Sequence, residues 1–330
     1  MLDRRAFLAG MASVVAAPLV AEAQPTAKTP AIGVMAPGFP PPESSPSIAA
    51  FVQGLRDLGW GPGRNITLEY RWTEDREDRY SEFARDLIRF GVDVIVGAGN
   101  AVRAAKQATT TIPIVMASVN APVELGLIAS LARPGGNVTG VATLTGDLVG
   151  KRLELLKVVA PSASRIVVLY DDRSGRANVD HTLKGAGDVA RSLGIRLHSR
   201  GLSDPREFEE TFKKLMAEGA EGLTHVPSPF FRIHAREIAD LALRNHLPAI
   251  YGDAGGFVES GGLMFYGDSI PHNWQRAASY VDRILKGARP ADLPVEQPTK
   301  FDLAINLKTA KTLGLTIPQS LLLRADQVIQ

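Results

Sequence analysis

The stretch from Val92 to Thr143 reads VDVIVGAGNAVRAAKQATTTIPIVMASVNAPVELGLIASLARPGGNVTGVAT. It holds three apolar runs, Val92–Val96, Ile114–Met116 and Val138–Ala142, each too short for a stable helix and rich in β-branched residues. Such runs suit strands buried on both faces of a parallel sheet. Between the first two lies Ala101–Ala108, a good helix former. Strand, helix, strand with a right-handed crossover makes the two strands parallel. The first strand runs into Gly97-Ala98-Gly99-Asn100, which places backbone N–H groups at a helix N-terminus. That position carries partial positive charge and unpaired donors, a natural seat for a carboxylate or phosphate. A dinucleotide fingerprint would need a third Gly where Val102 stands, and no phosphate loop ending in Gly-Lys-Ser/Thr occurs in the chain. A tight turn in an α/β sheet is therefore the better reading of this segment than nucleotide binding.

Outward from this stretch the same rhythm continues on both sides. Upstream, Ala31–Met35 reads as a buried strand, Ile48–Leu58 as a helix with one apolar face, Ile66–Trp72 as a strand and Arg79–Phe90 as an amphipathic helix. Downstream come a helix over Lys151–Val159, a strand over Arg165–Tyr170, a helix over Val179–Leu193 and a strand over Ile195–Arg200. A helix over Pro205–Glu218, a strand over Gly222–Val226, a helix over Phe231–Asn245 and a strand over Ala249–Tyr251 complete a second set. Two doubly wound α/β lobes follow from this alternation. A Gly-bracketed strand within 261–267, a helix over His272–Leu285 and a strand-then-helix tail from Pro298 come after the second set is complete, so the chain is expected to cross back. The predicted division is a first lobe of residues 24–144 plus about 263–290, and a second of 145–262 plus about 291–330. Several crossings leave a cleft between the lobes, and open α/β sheets bind ligands at the edge where their strands end.

The chain opens MLDRRAFLAGMASVVAAPLVAEAQP, with paired arginines at Arg4 and Arg5, an apolar run from Leu8 to Val20 and the small-x-small site Ala21-Glu22-Ala23. Residues 1–23 read as a cleaved secretory signal of twin-arginine type, although Asp3 stands where Ser or Thr usually precedes the pair. The expected mature chain is soluble and periplasmic, starts at Gln24 and acts as a monomer. Absence of cysteine excludes disulfides, a thiol nucleophile and a lipid-modified anchor. A net charge of +2, unchanged by removing the signal, does not suggest a nucleic-acid or membrane-surface binder.

Enzyme signatures are missing as well. The six histidines show no His-x-x-x-His spacing, there is no Gly-x-Ser-x-Gly elbow, and Ser228 lies between two prolines. No catalytic residue, metal or cofactor is expected.

Several blocks carry a family resemblance: Phe51-Val52-Gln53-Gly54-Leu55-Arg56-Asp57-Leu58-Gly59-Trp60, Val92–Val96, Ala108–Val115, Lys151-Arg152-Leu153-Glu154-Leu155-Leu156, Pro298–Phe301 and Ile305–Ala310. The most specific is Leu131-Ala132-Arg133-Pro134-Gly135-Gly136-Asn137-Val138-Thr139-Gly140. Together they cover essentially the whole mature chain and resemble ABC-transporter substrate-binding proteins of the tryptophan/tyrosine-binding type, within the type I periplasmic binding fold. The resemblance implies a receptor that closes on a small molecule and delivers it to the membrane subunits of an ABC permease. A sensor subunit presenting the same cleft to a signalling partner is the alternative, ahead of an exported α/β enzyme. An amino acid or related aromatic carboxylate is the favoured ligand, with branched-chain amino acids as runner-up.

Such a ligand needs donors for its carboxylate and an anion for its ammonium. Strand-end positions supply Asn100, Ser118 and Thr145 for the first, with Asn120 and Ser174 on neighbouring loops, and Asp253 or Asp171 for the second. Phe39, Tyr170, Phe230 and Tyr251 stand where they could line a side-chain pocket. Each has a plainer alternative: Asp171 as a loop cap, Tyr170 and Tyr251 as core residues, Ser118 and Asn120 as turn formers before Pro122.

Overall fold

The computed structural model describes residues 29–36, 45–73, 76–144, 148–174, 176–253 and 256–330. The predicted signal over 1–23 lies outside these residues, as do Phe39 and Thr145.

A five-stranded parallel sheet forms the first lobe from β1 (Ala31–Ala36), β2 (Thr67–Trp72), β3 (Val94–Ala98), β4 (Ile114–Asn120) and β5 (Val138–Thr143), in the order β2-β1-β3-β4-β5. Helices α1 (Pro46–Asp57), α2 (Tyr80–Phe90) and α3 (Asn100–Ala108) connect its strands. Period-two alternation sends residues of one strand to two cores. On β1, Ala31 and Met35 join Phe83 and Leu87 of α2, while Ile32, Val34 and Ala36 join Phe51 and Leu55 of α1.

The chain then passes through α4 (Val149–Val159) into a seven-stranded sheet. Its strands are β6 (Arg165–Asp171), β7 (Arg196–Leu202), β8 (Gly222–His225), β9 (Ala249–Tyr251), β10 (Met264–Asp268), β11 (Phe301–Asn306) and β12 (Gln327–Ile329), in the order β12-β11-β10-β9-β8-β6-β7. Helices α5 (Arg176–Ser192), α6 (Phe208–Ala217), α7 (Pro229–Ile233) and α8 (Ala235–Arg244) alternate with them; α9 (Ile270–Leu285), α10 (Leu307–Thr312) and α11 (Gln319–Leu322) follow. Among the described strands, the pairing of β11 with β10 is the one antiparallel pairing.

Three elements depart from expectation. The helix predicted over Phe231–Asn245 is two helices broken at His234, where Ser228 accepts a hydrogen bond from Phe231 N as N-cap of the first. The His234 ring, at the break, packs at 5.4 Å from Phe208 and 5.1 Å from Phe230. The segment 263–290, expected in the first lobe, is split. Strand β10 pairs in parallel with β9 and belongs to the second sheet, whereas α9 packs on α1, β4 and β5 of the first lobe. Residues just beyond 291 stay with the first lobe too, because Leu293 and Val295 fill its two cores and Glu296 bridges to Val141.

The chain thus crosses between sheets at 144–148, 268–270 and about 296–301. Leu144 N donates to Asp268 Oδ2 at 3.1 Å and Ser269 N to Lys300 O at 3.3 Å, so the crossings lie side by side where β5 and β10 end. The strand C-termini of both sheets therefore border one cleft. Among the described residues no helix is long and apolar enough to cross a membrane.

Candidate functional site

On the first lobe, pairing of β3 with β4 brings three predicted residues to one edge. Gly99 N donates to Ser118 O at 3.0 Å, tying the turn that starts α3 to the end of β4. Asn100, the first residue of α3, is exposed, and Ser118 and Asn120 are half-buried. The β3–β4 and β4–β5 pairings both shift register here, at Gly97/Ala98 and between Met116 and Val119, and resume beyond the shift, as bulges that re-aim the side chains at the strand ends. A helix N-terminus flanked by one amide and one hydroxyl side chain can donate to a carboxylate.

On the second lobe, both predicted ammonium anchors are buried and already face arginines. Asp171, only 5% exposed, accepts from Arg173 N at 3.0 Å and Nε at 2.9 Å through Oδ1, and from Arg173 NH2 at 3.2 Å through Oδ2. It caps its own loop, and the Arg173 guanidinium lies 4.4 Å above the Phe230 ring. Asp253, also 5% exposed, accepts from Arg232 Nε at 3.0 Å and NH2 at 2.8 Å, both through Oδ1. Its Oδ2 is buried and has no hydrogen-bond partner among the described residues. Of the two aspartates, Asp253 alone keeps an oxygen for a further donor. A cavity of about 430 Å³ opens beside it, lined also by Phe257, Phe265, Lys300, Asp302 and Asp326.

The predicted aromatic lining is largely core. Tyr251 is 1% exposed and stacks on Phe257 at 4.2 Å, and burial pushes its phenol pKa up. Alternation explains this: Ile250 faces one core of the lobe, so Ala249 and Tyr251 face the other. Phe230 is wedged against Phe208 at 5.5 Å and Phe231 at 5.4 Å. Tyr170 is half-buried beside Val149, Val168 and Val226. Ser174 ends a single 3-10 turn, and its side chain lies outside the described residues.

Three buried side chains near Asp253, namely Arg152, His225 and Asp268, were not picked from the sequence. Arg152 is completely buried within α4, and its NH1 donates to Tyr266 O at 3.3 Å. Burial lowers its pKa to about 10 while Asp268 and Asp253 hold it up, so the guanidinium stays charged at neutral pH. Gly252 makes room for it, since a Cβ there would sit 2.4 Å from Arg152 NH1. Gly252 N donates to His225 Nε2 at 3.0 Å, which makes that nitrogen the acceptor and Nδ1 the protonated one. Burial, then the nearby Arg152 charge, keep His225 well below its usual pKa and neutral. Asp268 completes the group, joining the Arg152 charge to the crossing at Leu144. A signal for Arg152 was present: Val149, Arg152, Leu153 and Leu156 share one helical face, so an arginine stands inside an apolar stripe.

With this geometry in place, comparison with known proteins is informative. The profile of a family described as ABC transporter substrate binding protein matches residues 44–329. The chain is 28% identical over 267 residues, 80% of its length and 75% of the relative's, to a protein named Tyrosine-binding protein from Clostridioides difficile. A solved structure of a conserved domain protein from Vibrio cholerae aligns with a TM-score of 0.81 at 27% identity, over 91% of this chain and 100% of that one. An ABC domain in complex with L-Trp from Streptococcus pneumoniae aligns with a TM-score of 0.80 at 24% identity, over the same shares. The likenesses show the two-lobed type I periplasmic binding fold.

Proposed function

The chain belongs to the family of ABC transporter substrate-binding proteins, and on that premise we propose that it is an exported receptor for an aromatic amino acid, which it delivers to a membrane permease. Asp253 carries this reading: a buried carboxylate at a strand end of the cleft, with one oxygen held by Arg232 and the other unpartnered. An ammonium shielded in a closed cleft would complete it, in a setting where an ion pair is stronger than in water. Across the cleft the α3 N-terminus with Asn100, Ser118 and Asn120 suits the carboxylate of the same ligand. The relative named Tyrosine-binding protein supports the choice of an aromatic side chain. A ligand touching both lobes favours the closed arrangement by its differential affinity, and that is the whole of the mechanism asked of these residues. Export through the signal over 1–23 and handover to a permease belong to this proposal.

The test is a melting-temperature shift on protein unfolded and refolded to strip carried-over ligand. The panel holds L-tyrosine, L-tryptophan, L-phenylalanine, branched-chain amino acids, aromatic carboxylates, nucleosides and sugars. A ligand at a hundred times its Kd stabilises by about 2.7 kcal/mol, a shift of several degrees for lobes of this size. Aromatic amino acids are expected to give that shift. A response confined to nucleosides or sugars, or none, overturns the reading.

A further inference from the structure

The start of α9 places a second helix N-terminus at the cleft. Asp268 ends β10 and bonds to Leu144, the residue after β5, so α9 begins beside the ends of the first-lobe strands and then runs across β4 and β5. Its N-cap, Ser269, makes no side-chain cap hydrogen bond. Pro271 removes its own donor from the first turn, and the N–H groups of Ile270 and His272, like those of any first turn, have no intrahelical partner.

A helix N-terminus alone is not a site; Asn273 is the independent observation. It is 1% exposed, and neither its Nδ2 nor its Oδ1 has a hydrogen-bond partner among the described residues. Its backbone N–H is spent on Ser269 O at 3.0 Å. Helical side chains lean toward the N-terminus of their helix, so this carboxamide covers the turn that begins at Ser269. The neighbouring Trp274 enters the lobe core edge-on to Phe51, so the buried polar side chains of that turn are Ser269 and Asn273. A buried amide with two unmade hydrogen bonds costs stability, and its retention calls for an occupant.

We propose that the first turn of α9 is a subsite for the ligand's carboxylate, with the Asn273 carboxamide as its side-chain donor, completing the seat begun by the α3 N-terminus. The positive end of α9 selects an anion there. Among the described residues, the carboxylate at this crossing, Asp268, is matched by Leu144 N and the buried charge of Arg152. This inference rests on the amino-acid reading above.

The test is calorimetric titration of wild type, Asn273→Leu and Asn273→Asp with L-tyrosine and L-tryptophan, alongside ligand-free melting temperatures. Asn273→Leu keeps the shape and removes the donor. It should melt at or above the wild-type temperature, because an unmet amide is lost, yet bind at least tenfold more weakly. Asn273→Asp puts a negative charge against the carboxylate and should lose more still, which covers the case in which the leucine variant fails to fold. Wild-type affinity in the leucine variant, or raised affinity in the aspartate variant, overturns the subsite and leaves the amino-acid reading standing. Absence of binding in wild type overturns both.

Discussion

His225 shows how a single buried side chain ties the second lobe to pH. Its imidazole is enclosed by Phe231, Tyr251 and Phe257 and accepts the Gly252 N–H, while Arg152 adds a positive charge nearby. Both effects oppose protonation, so the folded pKa lies well below 6.5. In the unfolded chain the same ring takes up a proton near 6.5. The unfolded state therefore binds more protons on acidification, and the stability present above that pH is lost as the pH falls below it, by about 1.4 kcal/mol per unit. Replacing His225 with Gln keeps an acceptor for Gly252 N and removes the titration. Urea unfolding at pH 7.5, 6.5 and 5.5 should show a shallower fall in the variant, by about one proton's slope. Equal slopes in the two proteins would place the acid sensitivity elsewhere.

The elements with the most specific sequence signature hold the first lobe together, and the block Leu131–Gly140 shows why. Asn137 Nδ2 donates to Thr109 O and Ile112 O, its Oδ1 accepts from Lys106 Nζ, and Thr139 Oγ1 donates to Leu293 O. Gly140 has φ +129°, and a Cβ there would lie 2.1 Å from Met116 O on β4. Its own carbonyl accepts from Glu296 N, so β5 is fastened on both sides. Gly140→Ala should cost about 2–4 kcal/mol, from backbone strain and a clash that no rotamer relieves. Gly136→Ala, whose Cβ would meet only the flexible tip of Lys106, is the control and should unfold near wild type. Equal stability of the two variants in denaturant would discredit the close-approach argument. The strands of both lobes were legible because parallel strands buried on two faces read as short apolar runs rich in β-branched residues, as Val92–Val96 does and as Ile114–Met116 does for the first half of β4. The antiparallel return of β11, the short β12 and the break at His234 were not, since they depend on long-range pairing and ring packing. At the candidate site, strand-end counting picked out Asn100, Ser118 and Asn120, which share one strand edge, and Asp253, which is buried at another. It took Tyr251 for lining because burial on a three-residue strand is decided by the face it turns, and Phe230 because the short helix that packs it against Phe208 and Phe231 was not foreseen.

At the scale of the molecule the question is which motion the crossings permit. The crossings are bonded to one another and to β5: Leu144 to Asp268, Ser269 to Lys300, and Glu296 to Gly140 and Ala142 within the strand. Arg276 of α9 adds a bidentate pair to Glu296 at 2.7–2.8 Å, fixing the third crossing to the first lobe. Neighbouring tethers of this kind would resist sliding and twisting and would let the lobes rotate about the crossings, the hinge type of closure. The groups that would gain from such closure stand on opposite sides of it: the α3 and α9 N-termini on one lobe, the unpartnered Asp253 oxygen on the other. Binding and closure are then one equilibrium, in which a ligand that contacts both sides contracts the protein and a fragment that contacts one does not. Solution X-ray scattering should accordingly show a smaller radius of gyration with saturating L-tyrosine than without. Tyramine, which lacks the carboxylate, should leave the radius at its ligand-free value even where it binds. Calorimetrically verified binding of L-tyrosine with no contraction would mean that the cleft is preformed at its bound width and that the crossings act as struts rather than a hinge.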